Sequence, residues 1–308
     1  MKKWIWTTVA VLTLTVSVSA QITTNSDYTV EPFGTPPEGG EWGDTVSIAA
    51  DGRGSIIVLR RAQPPVLIFD REGDLLDSWG TGLFPDIHSV DVDHEGYVWI
   101  TDTTDHMVYK FTMDGQQLLA LGTKGVTGDD SSKTAFNRPT DVAVARNGDI
   151  FVTDGYGNSR IVHFTKDGSF IKVIGGIEGS GPGEFKTPHA IRIDSRGRLI
   201  VLDWQREARD PRIQLFSQDG ELLEIWAGLG IVRPTGLAIT GDDTVYIGDT
   251  DGRTIWMLQD GKVVEEIGGL QARPHNIVWD LGTGDLYFAN TLLPGQINKV
   301  TKKSSGTP

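Results

Sequence analysis

The chain contains no cysteine. That absence removes a disulfide framework, a thiolate metal centre and a cysteine nucleophile together, so any bound metal must be held by histidine, carboxylate or carbonyl groups. Basic residues are few beside acidic ones, 28 Lys and Arg against 41 Asp and Glu, for a formal charge of −13. A surface of that sign is a poor partner for nucleic acid, whose binding proteins neutralise phosphates with cations. Long apolar runs are missing beyond residue 20, because each is broken within a few residues by Asp, Gly, Asn or Lys. A membrane span needs about 20 apolar residues. Helical spacing of apolar residues is not sustained either, and what remains alternates with period two, the signature of half-buried strands.

The N-terminus is the exception. Lys2 and Lys3 precede an apolar stretch from Trp4 to Val18 that closes on Val18-Ser19-Ala20, the pattern of a secretory signal peptide over residues 1–20. Its removal takes two lysines and no acid, which moves the charge to −15. This predicts an exported chain, periplasmic or secreted, monomeric and free of the membrane after cleavage.

The rest of the sequence repeats. Ile87-His88-Ser89-Val90, Pro139-Thr140-Asp141-Val142, Pro188-His189-Ala190-Ile191, Pro234-Thr235-Gly236-Leu237 and Pro274-His275-Asn276-Ile277 align, with an earlier copy at Val46. From Val46 the offsets are 42, 52, 49, 46 and 40 residues, room for four short strands and their turns per unit. Fourteen residues after the reference position stand Asp102, Asp154, Asp203 and Asp249, with Arg60 in the first unit and Asn290 one place later in the last. Those aspartates read as turn caps that accept backbone N–H groups. Six four-stranded units arranged radially make an all-β, six-bladed β-propeller over residues 21–300. The last unit lacks a fourth strand after Val300, so Asp27 to Pro32 is expected to complete it, and Thr301 to Pro308 is expected to be a disordered tail. Two connections, Thr123 to Asn137 and Gly175 to Lys186, are long. They read either as functional insertions or as solvated links.

Three of the histidines, His88, His189 and His275, hold the reference position in blades two, four and six. Alternate blades of a six-fold ring lie about a third of a turn apart, so the three imidazoles converge on the axis. Three neutral nitrogen ligands with one open position are the ligand set of a catalytic zinc, which acts as a Lewis acid or lowers the pKa of bound water. A hydrogen-bonded core histidine is the better reading for any one of them alone; the matching register carries the metal reading. His94, His106 and His163 fall in a turn, at a strand start and within a third strand, and carry no such pattern.

Pro139-Thr140-Asp141-Val142-Ala143-Val144 followed by Val152-Thr153-Asp154-Gly155-Tyr156-Gly157-Asn158-Ser159-Arg160-Ile161-Val162 resembles the peptidyl-α-hydroxyglycine α-amidating lyases, NHL-repeat propellers that split a peptidyl-α-hydroxyglycine into an amide and glyoxylate. The resemblance continues through Val98-Trp99-Ile100-Thr101-Asp102, Gly181-Pro182-Gly183-Glu184-Phe185 and the Pro-His pairs at 188–189 and 274–275, and so spans all six blades. It implies zinc on His88, His189 and His275, a proton-accepting Tyr156, and Arg61 against anionic oxygen of a small-molecule or peptide substrate. Read without the resemblance, Tyr156 is a buried phenol and Arg61 a surface charge. The family's second substrate arginine meets Trp204 here, leaving Arg206 as the substitute. Its structural calcium site would fall on the carbonyls of Ile48 and Val90 and on Asn276, where the family has an aspartate. A neutral amide there weakens any calcium site. Two rival functions are a metal-dependent lactonase or esterase-type hydrolase, and a non-catalytic NHL-repeat binding scaffold.

Overall fold

The computed structural model describes residues 27–37, 40–204, 211–292 and 295–303. The expected signal peptide and Arg206 lie outside them. Among the described residues there is no helix long and apolar enough to cross a membrane. Twenty-four strands form six four-stranded antiparallel sheets, the six blades of a propeller.

Each blade is a meander from the axis outward. The inner strands are Thr45–Ala50, Ile87–Val92, Asp141–Val144, Pro188–Ile193, Pro234–Ile239 and Pro274–Asp280. The second and third strands are buried nearly throughout, as in Ile150–Asp154 and Arg160–Phe164, whereas a fourth strand such as Leu75–Trp79 faces solvent. The reason is the interblade packing. Val46, Ile57 and Leu59 of blade one meet Val90, Ile100 and Tyr109 of blade two in one apolar cluster, and like clusters lie between other neighbouring blades. Burial at about 25 cal/mol per Å2 of apolar surface makes these blade faces the main favourable term.

Blade six is closed by the N-terminus. Tyr28–Pro32 pairs with Gln296–Lys302 from Tyr28 opposite Lys302 to Pro32 opposite Asn298. The expected tail therefore starts too early: Thr301 and Lys302 are strand residues, because the polar ends of an exposed outer strand still have a backbone ladder to complete.

The strand-end aspartates act as read. Asp203 accepts the N–H groups of Lys186 and Thr187, and Asp249 those of Val232, Arg233 and Gly252. In blades three and four they also hold buried arginines. Arg160 pairs with Asp154 and donates to the carbonyls of Ser132 and Ala135; Arg212 pairs with Asp203 and donates to those of Ser180 and Glu184. Both long connections are thus docked onto their blades by a guanidinium.

Candidate metal centre on the propeller axis

The inner strands carry a register irregularity at the reference residue in five blades. Pairing skips Val46, His88, His189, Thr235 and His275. A β-bulge leaves one residue out of the ladder and re-aims its side chain, and here it turns the imidazoles toward the axis. The proline before the reference residue in blades four, five and six has no N–H to give the ladder, which suits a strand beginning at a bulge.

The rings of His88, His189 and His275 meet edge to face, with centroids 5.0, 5.3 and 5.3 Å apart. One donor atom from each lies within 4.8 Å of the others, and no other such group of His and acidic side chains occurs among the described residues. Each Nδ1 faces a backbone carbonyl of the next blade: His88 that of Thr140 at 2.6 Å, His189 that of Thr235 at 3.0 Å, His275 that of Val46 at 2.8 Å. A carbonyl only accepts, so every Nδ1 carries the proton and every Nε2 lone pair is free. The three blades without histidine therefore fix the tautomers of the three with it, the outer-shell arrangement that orients metal-binding imidazoles.

Burial is the first cause that pushes the proton affinity of His88 and His189 well below the usual histidine range, reinforced by the neighbouring imidazoles. His275 is pushed down to about 4, again chiefly by burial. Three neutral imidazoles at ordinary pH follow.

Tyr156 completes the cluster. Its Oη lies 2.9 Å from Nε2 of His88 and 3.1 Å from Nε2 of His189. The phenol has one proton, and both Nε2 atoms are acceptors, so it satisfies only one of them. Converging lone pairs with too few protons are what a cation resolves, and the residues fit a zinc-like ion. Tyr156 is placed by two close approaches: a Cβ on Gly155 would sit 2.0 Å from the carbonyl oxygen of Pro188, and one on Gly157 would sit 2.2 Å from the Asn137 side chain. That explains glycine on both sides of the tyrosine. Beside it opens a cavity of about 250 Å3 lined by Gly155, Tyr156, Asn158, Glu178, Lys186 and Thr187, among others.

Arg61 stands near enough to depress His88 and His275, but its Nε and Nη1 donate to Asp86 and Asp44, each at 2.6 Å. Two carboxylates outweigh its single charge. Asn276 Oδ1 accepts the N–H of Ile48 at 3.2 Å, and the N–H of Val90 goes to Ser47 Oγ. With one neutral amide oxygen, already engaged, and no carboxylate in the set, Ile48, Val90 and Asn276 do not fit calcium, which takes six to eight oxygens.

The sequence reading passed over two arginines. Arg138 holds its guanidinium 5.2 Å from the Tyr156 ring centre and depresses His88; Arg233 stacks on Trp204 at 3.8 Å and depresses His189 and His275. Arg138 has a left-handed backbone, φ 64, and donates its N–H to Nδ1 of His106, itself at φ 58. Non-glycine residues in that region are sparse and cluster at functional sites. The available signal was the Arg-Pro pair ahead of the inner strand at 138–139, 233–234 and 273–274.

Comparison with known proteins agrees with this picture. A family model described as a 6-bladed beta-propeller matches residues 131–208. A probable peptidyl-alpha-hydroxyglycine alpha-amidating lyase of Caenorhabditis elegans is 38% identical over 181 residues, 57% of this chain and 47% of that one. The chain is similar in sequence to the α-amidating lyases. It is also 32% identical over 203 residues to the NHL repeat-containing protein 3 of Homo sapiens, covering 60% of this chain and 55% of that one. The chain thus spans about half the length of these curated relatives. Among solved structures, a streptogramin B lyase superposes with TM-score 0.63 at 18% identity, covering 90% of this chain and 98% of that one. A gluconolactonase from Xanthomonas campestris gives 0.67 at 15%, covering 92% of each. At those identities the likeness is one of fold.

Proposed function

We propose that this chain is a zinc-dependent carbon–nitrogen lyase that cleaves N-acyl-α-hydroxyglycines, peptidyl or smaller, to an amide and glyoxylate. The observation that carries the reading is the triad of Nε2 lone pairs, all with Nδ1 anchored, with Tyr156 set between two of them. The sequence similarity to lyases of that reaction supports it.

His88, His189 and His275 would hold the zinc, which supplies Lewis acidity toward a substrate oxygen. The remaining work belongs to the chain. In the reaction the C–N bond breaks, the carbinol carbon becomes the aldehyde of glyoxylate, the hydroxyl loses a proton and the amide nitrogen gains one. Tyr156 is the group positioned to exchange that proton, since it lies at the centre and its oxygen already hydrogen-bonds there. The guanidinium groups of Arg61, Arg138 and Arg233 give the site a positive field that suits the carboxylate of the substrate and of glyoxylate. The cavity beside Tyr156 is the space for the acyl or peptide part.

N-benzoyl-α-hydroxyglycine tests the proposal. Equimolar benzamide and glyoxylate, formed with zinc and not without it, are the expected products. A zinc-loaded protein that yields neither overturns the lyase reading and leaves the scaffold reading in its place.

A further inference from the structure

Arg233 has an unusual position among the arginines of this site. It ends the approach to the inner strand of blade five, two residues before Thr235, whose carbonyl holds Nδ1 of His189. Its guanidinium lies on the face of Trp204 at 3.8 Å, and Trp204 in turn meets His189 edge to face at 6.4 Å. The charge is therefore one ring away from a histidine of the triad. It acts on that histidine and on His275 through space.

The other arginines near the loops are committed. Arg61 is held by two carboxylates at 2.6 Å; Arg160 and Arg212 are bound to carboxylates and to loop carbonyls; Arg273 donates to Asp251. Arg233 has only an ion pair to Asp251 at 3.7 Å, beyond hydrogen-bond reach, and its Nε is buried without a partner among the described residues. A buried, unsatisfied N–H on a charged group costs stability. The aromatic face beneath it, worth about 0.5–2 kcal/mol as a cation–π contact, fixes the plane of the fork but takes none of its donors. A planar fork with free donors is a receptor for a carboxylate.

We infer that Arg233, seated on Trp204, is the anchor for the carboxylate of the ligand that occupies the axial site. Trp204 stands where the similar lyases carry their second substrate arginine, so the guanidinium comes here from the following blade and the tryptophan becomes its platform. The inference rests on the proposed function for the identity of the ligand, an N-acylated glycine derivative, but not for the existence of the anion subsite.

The test uses N-benzoylglycine, which has the carboxylate and no carbinol to react, and its methyl ester, which has no charge. Binding of each to the zinc-loaded protein is measured by calorimetry for the parent, Arg233→Met and Arg233→Lys, with zinc content and thermal unfolding as controls of integrity. The expected result is a loss of about tenfold to a hundredfold in affinity for the acid in Arg233→Met, an intermediate loss in Arg233→Lys, and no change for the ester. Equal losses for acid and ester, or no loss for either, overturn the inference. So does failure of the parent to prefer the acid. Glyoxylate release is followed in the same variants to keep the two readings apart. Turnover in the parent with unchanged kcat/KM in Arg233→Met sinks the anchor and leaves the lyase. Selective loss of acid binding in a protein that releases no glyoxylate sinks the lyase and leaves the anchor.

Discussion

Replacing Asp91 by asparagine should stabilise the protein at pH 7.5. Asp91 lies three residues beyond His88 on the same inner strand, about 10 Å farther along the tunnel at the rise of a strand. It borders a cavity of about 310 Å3 that Arg192 also lines. Arg192 is already paired with Asp141 at 2.7 Å, so two carboxylates share one guanidinium. Burial first, then the charges of Asp141 and Asp93, raise the Asp91 carboxyl from 3.8 to about 6, against the lowering effect of Arg192 and the Val92 N–H. A folded pKa above the unfolded one means that the native state holds the extra proton. Its stabilising contribution is complete below 3.8 and disappears as pH rises through about 6. At pH 7.5 the ionised group then costs the fold about 2–3 kcal/mol, which Asp91→Asn removes. Urea unfolding of parent and variant should show a gain of about that size at pH 7.5 and almost none at pH 3.5. A loss of stability at pH 7.5, or the same gain at both values, refutes the reasoning.

Other expectations concern the blades and the triad. Asp154→Ala strands the fully buried Arg160 and should cost about 3–5 kcal/mol in unfolding free energy, whereas the equivalent change at the surface pair Lys172–Asp219 should cost under about 1 kcal/mol. Tyr156→Phe should retain zinc by elemental analysis while glyoxylate release falls by about a hundredfold to ten-thousandfold; loss of the metal with the hydroxyl would instead make the tyrosine a ligand. Because His275 is depressed to about 4, protons compete weakly for the triad. Zinc should therefore stay bound through gel filtration at pH 5.5, and release with a midpoint near pH 6.5 would contradict the buried, neutral imidazoles.

The blades were legible because two positions fourteen residues apart recur with their chemistry intact: the reference residue that lines the axis and the aspartate that caps the approach to it. The triad was legible for the same reason, since a symmetric fold turns sequence register into spatial convergence. The bulge that aims His88, His189 and His275 was not, because a slipped backbone pairing has no composition of its own beyond the preceding proline. Nor were the carbonyls of Thr140, Thr235 and Val46 visible as partners of Nδ1, since every residue has a carbonyl. Arg61 was read as an anion site and Asp44 and Asp86 were not read at all; these acids come from connections ahead of two different inner strands, and only the fold brings them to one guanidinium. Arg233 was hidden by its distance in sequence from Trp204, though the Arg-Pro pair was there to see. The outer strand of blade six ran past its expected end because Thr301 and Lys302 are polar, as exposed edge residues are.

Zinc stoichiometry, measured by elemental analysis and X-ray absorption on the purified protein and on the His88→Ala, His189→Ala, His275→Ala triple variant, tests the central claim most directly. One zinc per chain with three imidazole nitrogens in its first shell, absent from a triple variant that still unfolds cooperatively, is the predicted result. A parent protein that takes up no stoichiometric metal, or a variant that keeps it, would contradict the axial site and every step built on it.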